Sequence, residues 1–442
     1  MTENTRGTAL EQITEKFQQF RSTNGKGPLQ PIEDKAFHHF SEMGIPTMRN
    51  EEWKYTRISG VFNKAYQFTP GKGADSLSAE EFNACRLPGH EVANELVFVN
   101  GAFMPERSTV RSSEILVMSL EEAAKNEFSE IVSKHLGNSG KYVKDGLYSL
   151  NTSFLHGGVF IHIKKGQVTE HPVYIYHITD ARSANILSQP RCLVHVSERA
   201  EVHMVENYLT IGNADSFTNQ VMEVIVEEGA NIGYYKIQND KVQSSQVSTT
   251  HFRQVGKSMI HAVTISLNGG IVRNNLNIAL EAEYSEAHLY GLYFQNGSSH
   301  VDNHTIVDHV SPHCQSNELY KGILNDNASA VFNGKIFVRQ PAQKTNAYQH
   351  NKNILLSDNA SVNTKPQLEI FADDVKCSHG CTIGQLDEEG MFYLRSRGIP
   401  ERIARSLLVH AFAIDILEHI RLEPLRQYVD RLISKRLEFD QL

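Results

Sequence analysis

From about residue 158 to about residue 385 the chain runs strand after strand without a convincing helical period, and no other feature constrains its fold as strongly. LNIALE (276–281) alternates strictly, with Leu276, Ile278 and Leu280 on one face, and HLYGLYF (288–294) and VFNGKIFV (331–338) are equally β-like. Short turn signals separate these runs. SERAEVHMV (197–205), EEGANIGYY (227–235), DNASAVFNG (326–334) and DNASVNTKP (358–366) each place Ala after a polar or Gly residue, at 200, 230, 328 and 360. Two of the intervals are 30 and 32 residues, and the middle one of 98 fits about three more repeats. A recurring strand-and-turn unit without helices means a solenoid or a propeller. A propeller blade needs about 40 residues and usually its own aromatic signature, which is absent. The expectation is therefore a mainly β chain, a parallel β-helix whose coils pair with the coils above and below.

End coils expose an apolar core and unpaired backbone, so a solenoid needs caps, and helices are expected at both ends. Ile13, Phe17 and Phe20 fall at helical spacing, and a second helix starting near Pro31 carries Ile32, Ala36 and Phe40 on one face before Gly44 and Pro46. RNEEWKYTRI (49–58) holds the only Trp, GKGADS (71–76) reads as a loop, Asn100-Gly101 as a hairpin turn, and 121–136 as helix. After Pro400, Ile403, Leu407, Leu408, Phe412, Ile414 and Leu417 recur with helical period, and a last helix follows Pro424 with Leu425, Val429, Leu432 and Ile433 on one side. These signals divide the chain into an N-terminal helical and mixed region (1–140), a β-helix core (141–388) and a C-terminal helical domain (389–442).

Bulk chemistry narrows the function. A net charge of −8 makes nucleic acid and anionic membrane poor partners. Five cysteines in 442 residues are too few, and odd, for a disulfide framework. The start of the chain lacks a signal-peptide pattern, and no run approaches the roughly 18 apolar residues of a spanning helix. A reducing, cytoplasmic setting is expected. Phosphate-loop, dinucleotide-binding, H-E-x-x-H and G-x-S-x-G motifs are all absent, so the chain is not expected to hydrolyse ATP itself.

Two constellations could carry chemistry. In KCSHGCT, Cys377, His379 and Cys381 would share one face of a strand and offer soft ligands for iron, zinc or sulfur. Gly380 weakens the strand assignment, and the plainer alternative is two buried thiols with a structural histidine. The second is His300, His304, His309 and His313 with Asp302, Asp308 and Cys314. It is either a scattered metal site or a polar ladder outside the solenoid, and no fixed ligand spacing repeats in it. Lys321, Lys335, Lys344, Lys352 and Lys365 read as a solvated face or as an attractor for an acidic partner.

The run from LYKGILNDNASAVFNGKIFVRQ to DDVKCSHGCTIGQLDEEGMFYLRSRGI, with NEEWKYTRI and VDNHTIVDHVSPHCQS, closely resembles the SufB/SufD family of the SUF iron–sulfur assembly system, and its D subunits in particular. The resemblance implies a right-handed parallel β-helix flanked by helical regions. It implies a scaffold working with a SufB-like subunit, bound through the β-helix, and with a SufC-like ATPase, bound through the C-terminal helices, for which Leu407, Leu408 and Phe412 are the candidate contacts. It also places Cys377 and His379 near the surface shared with the B subunit, as candidate ligands of iron or of a nascent cluster that is held only transiently. A homodimer of the isolated chain is compatible with it. The alternatives are a β-helical polysaccharide enzyme, which would normally be exported and use acidic clusters, and a cupin-like metal enzyme built on the histidine stretch.

Overall fold

The computed structural model describes residues 3–24, 27–72 and 77–437, so the loop expected at 71–76 lies largely outside the described residues. Strands of alternate half-coils build two facing sheets of ten and eleven strands. From Val173–Ala181 onward the ten-stranded sheet continues through Glu201–Gly212, Asn231–Asn239, Met259–Asn268, Glu286–Gln295, Gln315–Leu324, Asn346–Leu355 and Lys376–Gly384, each paired in parallel with the next. The expected parallel β-helix is the observed architecture.

At the N-terminal end the strands Ala102–Phe103 and Ile115–Ser119 are antiparallel and lie at the edges of the two sheets. The first follows the expected hairpin turn, where Asn100 and Gly101 both take positive φ (49° and 89°). The helix expected over 121–136 is broken into Leu120–Ala123 and Ser129–His135. Asn126 lies between them, and its Oδ1 accepts from the Phe128 amide at 3.0 Å, offering the backbone a local partner outside the helix.

The recurring Ala marks the corners where one coil's chain turns onto the next sheet. Asn231 N donates to Ala200 O (2.9 Å), Met259 N to Ala230 O (3.1 Å), Glu286 N to Ser258 O (3.0 Å), Gln315 N to Ser285 O (3.0 Å) and Asn346 N to Cys314 O (3.1 Å). The corner position is thus a file of small buried residues, of which Ala is one solution among Ser and Cys. Ala328 and Ala360 occupy the opposite corner, entering Ser329–Val338 and Ser361–Thr364. The 98-residue interval therefore covers three and a half coils rather than three.

The terminal helices were expected to cap the ends, but they cover the flanks. Val409, Ala413, Ile416, Leu425, Val429 and Ile433 pack on the outer face of the ten-stranded sheet against Tyr235, Ile237, Val263, Ile265, Leu292 and Phe294. Ile13, Phe17, Phe40 and Trp53 do the same for Phe217 and Val247 of the other sheet. The reason lies in the strands. Their outward residues are apolar as well as their inward ones, so the flank must be removed from water, at about 1.5–3 kcal/mol per large side chain buried.

The C-terminal end of the solenoid is left open as a consequence. Among the described residues Lys376–Gly384 pairs only with Asn346–Leu355, and Ser361–Thr364 and Gln367–Ile370 pair only with Ser329–Val338. Near this end the lumen holds Glu318, Tyr320, Gln349, Asn351 and Asn353, all buried, as Glu206 and Lys236 are in earlier coils. A Cβ on Gly291 would overlap the Tyr320 ring, and one on Gly322 would overlap Tyr293 and Asn353, so these glycines supply the room that the large polar groups occupy.

Overfilling a closed corner tests the packing. Ala230→Leu and Ala328→Leu should each lower stability by about 1–3 kcal/mol in urea melts while the β-type circular dichroism persists. Unchanged midpoints would mean that the corners are not close-packed.

Candidate functional site

The strand Lys376–Gly384 runs unbroken through KCSHGCT, with Gly380 facing outward beside the His350 ring. Its register pairs Ala347 with Cys377, Gln349 with His379 and Asn351 with Cys381. Ala347, Gln349 and Asn351 line the lumen, so the three side chains stacked above them sit on the lumen side at its mouth. Cys377 is half-buried against the core, and that burial pushes its thiol pKa up. His379 and Cys381 are exposed. Among the described residues no group of three or more His, Cys, Asp or Glu converges to hold a metal.

Directly beneath His379 lie two residues that the motif did not point to. Gln349 Nε2 donates to Glu318 Oε2 at 2.6 Å, and Glu318 is fully buried. Desolvation pushes its carboxyl pKa up to about 7, against the opposing effect of the hydrogen bond from Gln349. A buried carboxyl with so little compensation is the kind of group found at working sites.

The histidine stretch is dispersed rather than gathered. His309 faces the lumen and shares a hydrogen bond with Ser316 Oγ (2.9 Å), while His313 stacks on Tyr284 in a turn (4.8 Å between centroids). His300 and His304 face outward, where they dock the NEEW segment. Thr56 Oγ1 bonds His300 Nε2 (2.8 Å) and Asp302 Oδ2 (2.5 Å), and Arg273 bonds Asp302 (2.8 Å) and the Glu52 carbonyl (2.6 Å). The Arg273 guanidinium lies 3.9 Å over the Trp53 ring. The hydrogen bond from His304 is the chief cause that holds Glu52 down to about 2, well below the usual carboxylate range. The two motifs thus meet as a structural clasp. A cleft of about 480 Å³ lies beside this clasp and away from the mouth. Four of the five lysines are ion-paired, Lys321 with Asp415, Lys335 with Glu52, Lys344 with Asp374 and Lys365 with Glu51, and Lys321 is buried rather than solvated.

Residues 177–412 match the SUF system FeS cluster assembly SufBD core domain, and residues 9–175 match the SufBD protein N-terminal region. An iron–sulfur cluster assembly SufBD family protein of Synechocystis is 35% identical over 408 residues, covering 89% of this chain and 87% of the relative. The iron–sulfur cluster assembly protein SufD of Escherichia coli is 31% identical over 411 residues, covering 91% and 92%, and SufD of Bacillus subtilis 26% over 324 residues, covering 71% and 72%. The chain belongs to the SufBD family.

The family is one of iron–sulfur cluster assembly, and the histidines on which the cupin alternative was built are dispersed rather than gathered. No helix among the described residues of this SufBD protein is long and apolar enough to cross a membrane. Of the three apolar residues singled out on its helix Glu401–Leu417, Leu407 is 39% exposed. Phe412 instead packs inward, with the Lys321 ammonium 4.3 Å from its ring centroid, and Leu408 packs beside Gly390 of the preceding helix. The outward apolar set is Leu407 and Ile414, together with Phe392 and Tyr393 on Glu388–Ser396.

Glu318 makes a pH prediction. Unfolded, its carboxyl titrates near 4.5; folded, it keeps its proton up to about 7. Between those values the folded chain binds more protons than the unfolded one, so stability falls as pH rises through that window and then levels off. Glu318→Gln should match the parent near about pH 4 and exceed it by up to about 3 kcal/mol near about pH 8. Parallel stability–pH curves for the two proteins would show that Glu318 carries no such cost.

Proposed function

We propose that this chain is a non-catalytic scaffold subunit of a cytosolic SUF complex, presenting Cys377 and His379 at an interface with a SufB-like subunit. The observation that carries the reading is the open end. Among the described residues the last strand is hydrogen-bonded along one edge only, and the mouth beside it holds two thiols and an imidazole. An unpaired edge is a template for a strand of another chain. A SufB-like partner would pair with it and cover the exposed Ile370, Phe371 and Ile383 beside it. Without that partner, a second copy of this chain could do the same.

Cys377 as thiolate can bind ferrous iron or take the outer sulfur of a donor persulfide, whose own thiolate then leaves, and a neutral His379 can bind iron through one nitrogen. An iron–sulfur cluster normally takes four ligands, so the partner must supply the rest. Incomplete ligation suits a scaffold, because the finished cluster is cargo and has to leave. ATP hydrolysis falls to a separate SufC-like subunit, docked on the outward apolar set around Leu407 and Ile414.

In a reconstituted complex, Cys377→Ala and His379→Ala should leave assembly and melting temperature nearly unchanged while impairing cluster formation, the histidine change more severely. Normal cluster yield from both variants would sink the proposal, and a large fall in melting temperature would assign the residues to packing. The ATPase dock calls for surface substitution rather than truncation after Pro400, because removing the helix would uncover the flank at Tyr235, Ile265 and Phe294. Leu407→Asp with Ile414→Asp should abolish recovery of the ATPase in a pull-down and leave the thermal melt near that of the parent. Full recovery would place the dock elsewhere.

A further inference from the structure

Leu289, Glu318, Gln349 and His379 form one in-register file along the lumen, and its last three members are the polar ones. Gln349 occupies the middle of that trio, fully buried. Its Nε2 donates to Glu318, and this bond decides which end of the amide faces inward. Its Oε1 is buried and, among the described residues, has no hydrogen-bond partner. Leaving a buried acceptor unpaired costs about 1–3 kcal/mol, so such an atom calls for an explanation. The site is also built to admit this side chain, since a Cβ on Gly334 of the facing sheet would overlap the Gln349 amide. The residue in register with Gln349 on the mouth side is His379, whose ring makes no hydrogen bond with another described residue.

We infer that Glu318 and Gln349 are positioning residues for His379: a turn of the exposed His379 ring toward the lumen brings its single N–H to the unpaired Gln349 Oε1, which accepts it and leaves the other nitrogen's lone pair free to bind metal at the mouth. The inference rests on the assignment of His379 to iron or cluster binding made above. A neutral imidazole has one donor and one acceptor nitrogen, and the partner of the donor selects the tautomer. Metal-binding histidines usually have that donor held by a carboxylate, carbonyl or water. Here an amide stands between the carboxyl and the ring. Glu318 orients the amide by accepting from Nε2, which a carboxyl oxygen does whether or not the group holds its proton. The amide in turn offers its carbonyl to His379.

The direct readout is the tautomer of His379 in the metal-free full-length chain, from nitrogen-15 spectra of labelled histidine, with the resonance assigned by its loss in His379→Gln. The parent should show a single tautomer. Gln349→Met, close in size but without an acceptor, should return the ring to the mixture of a free imidazole, and Gln349→Asn, too short to reach, gives the same result should the Met variant not fold. Glu318→Leu should also release the ring, while Glu318→Gln, which keeps an oxygen to accept from Nε2, should keep it locked. A tautomer mixture in the parent, or a lock that survives loss of the Gln349 acceptor, overturns the inference. In the reconstituted complex Gln349→Met should slow cluster formation by about 10-fold or more. The two readings fail differently. Normal cluster formation in His379→Ala overturns the metal-binding role whatever the tautomer, whereas loss in His379→Ala beside an unaltered tautomer in Gln349→Met overturns only the positioning role.

Discussion

Everything in this molecule depends on the hydrogen bonds that run from coil to coil. A parallel ladder satisfies each strand's N–H and C=O groups only by means of its neighbours, so one coil is never complete by itself. Register follows from the same bonds, and with it the files of side chains that repeat along the lumen, the corners and the flanks. The ladder must also stop somewhere. At the N-terminal side it stops at antiparallel edge strands, and at the other side at Lys376–Gly384, which has no further neighbour among the described residues. The candidate chemistry lies on that last, half-satisfied strand.

The flanks explain why the helices are not caps. Val409, Ala413 and Ile416 are drawn to the sheet face by Tyr235, Ile237 and Ile265, and Lys321 fastens the same helix by donating to the Phe412 carbonyl at 3.0 Å and pairing with Asp415. On the opposite flank the clasp of Trp53, Arg273, Asp302 and His304 ties a segment near residue 50 to strands more than 200 residues later. Arg273 and Asp302 are both buried, and each charge is compensated by the other and by hydrogen bonds. With both flanks occupied in this way, the open end keeps its exposed edge.

Much of this was legible in the chain itself. Strand recurrence and the corner residues near Ala200 and Ala230 disclose the solenoid, and helical period discloses Glu401–Leu417. The spacing of Cys377, His379 and Cys381 correctly places them on one strand face. What the helices pack against was not legible, because an apolar stripe reports that a face is buried without naming its partner. Phe412 shows this, turned toward Lys321 rather than outward. Glu318 and Gln349 were hidden for a different reason. They lie 31 and 30 residues from their neighbours in the file, and a polar residue in a strand reads as solvent-facing by alternation. Charged and polar lumen residues such as Glu206, Lys236 and Gln349 break that rule, and their inward placement emerges only once the coils are stacked.

The lumen glycines set terms for how such a sequence can change. Gly291 accommodates Tyr320 one coil later, and Gly322 accommodates Tyr293 before it and Asn353 after it. Each small residue is therefore half of a bargain struck across a coil. A bulkier residue at 291 becomes admissible only after 320 has shrunk, and the same holds for 322 with its two neighbours. Drift in this part of the protein has to proceed by paired steps between positions roughly one coil apart, so a single-residue scan will judge these sites far less tolerant than their long-term history allows.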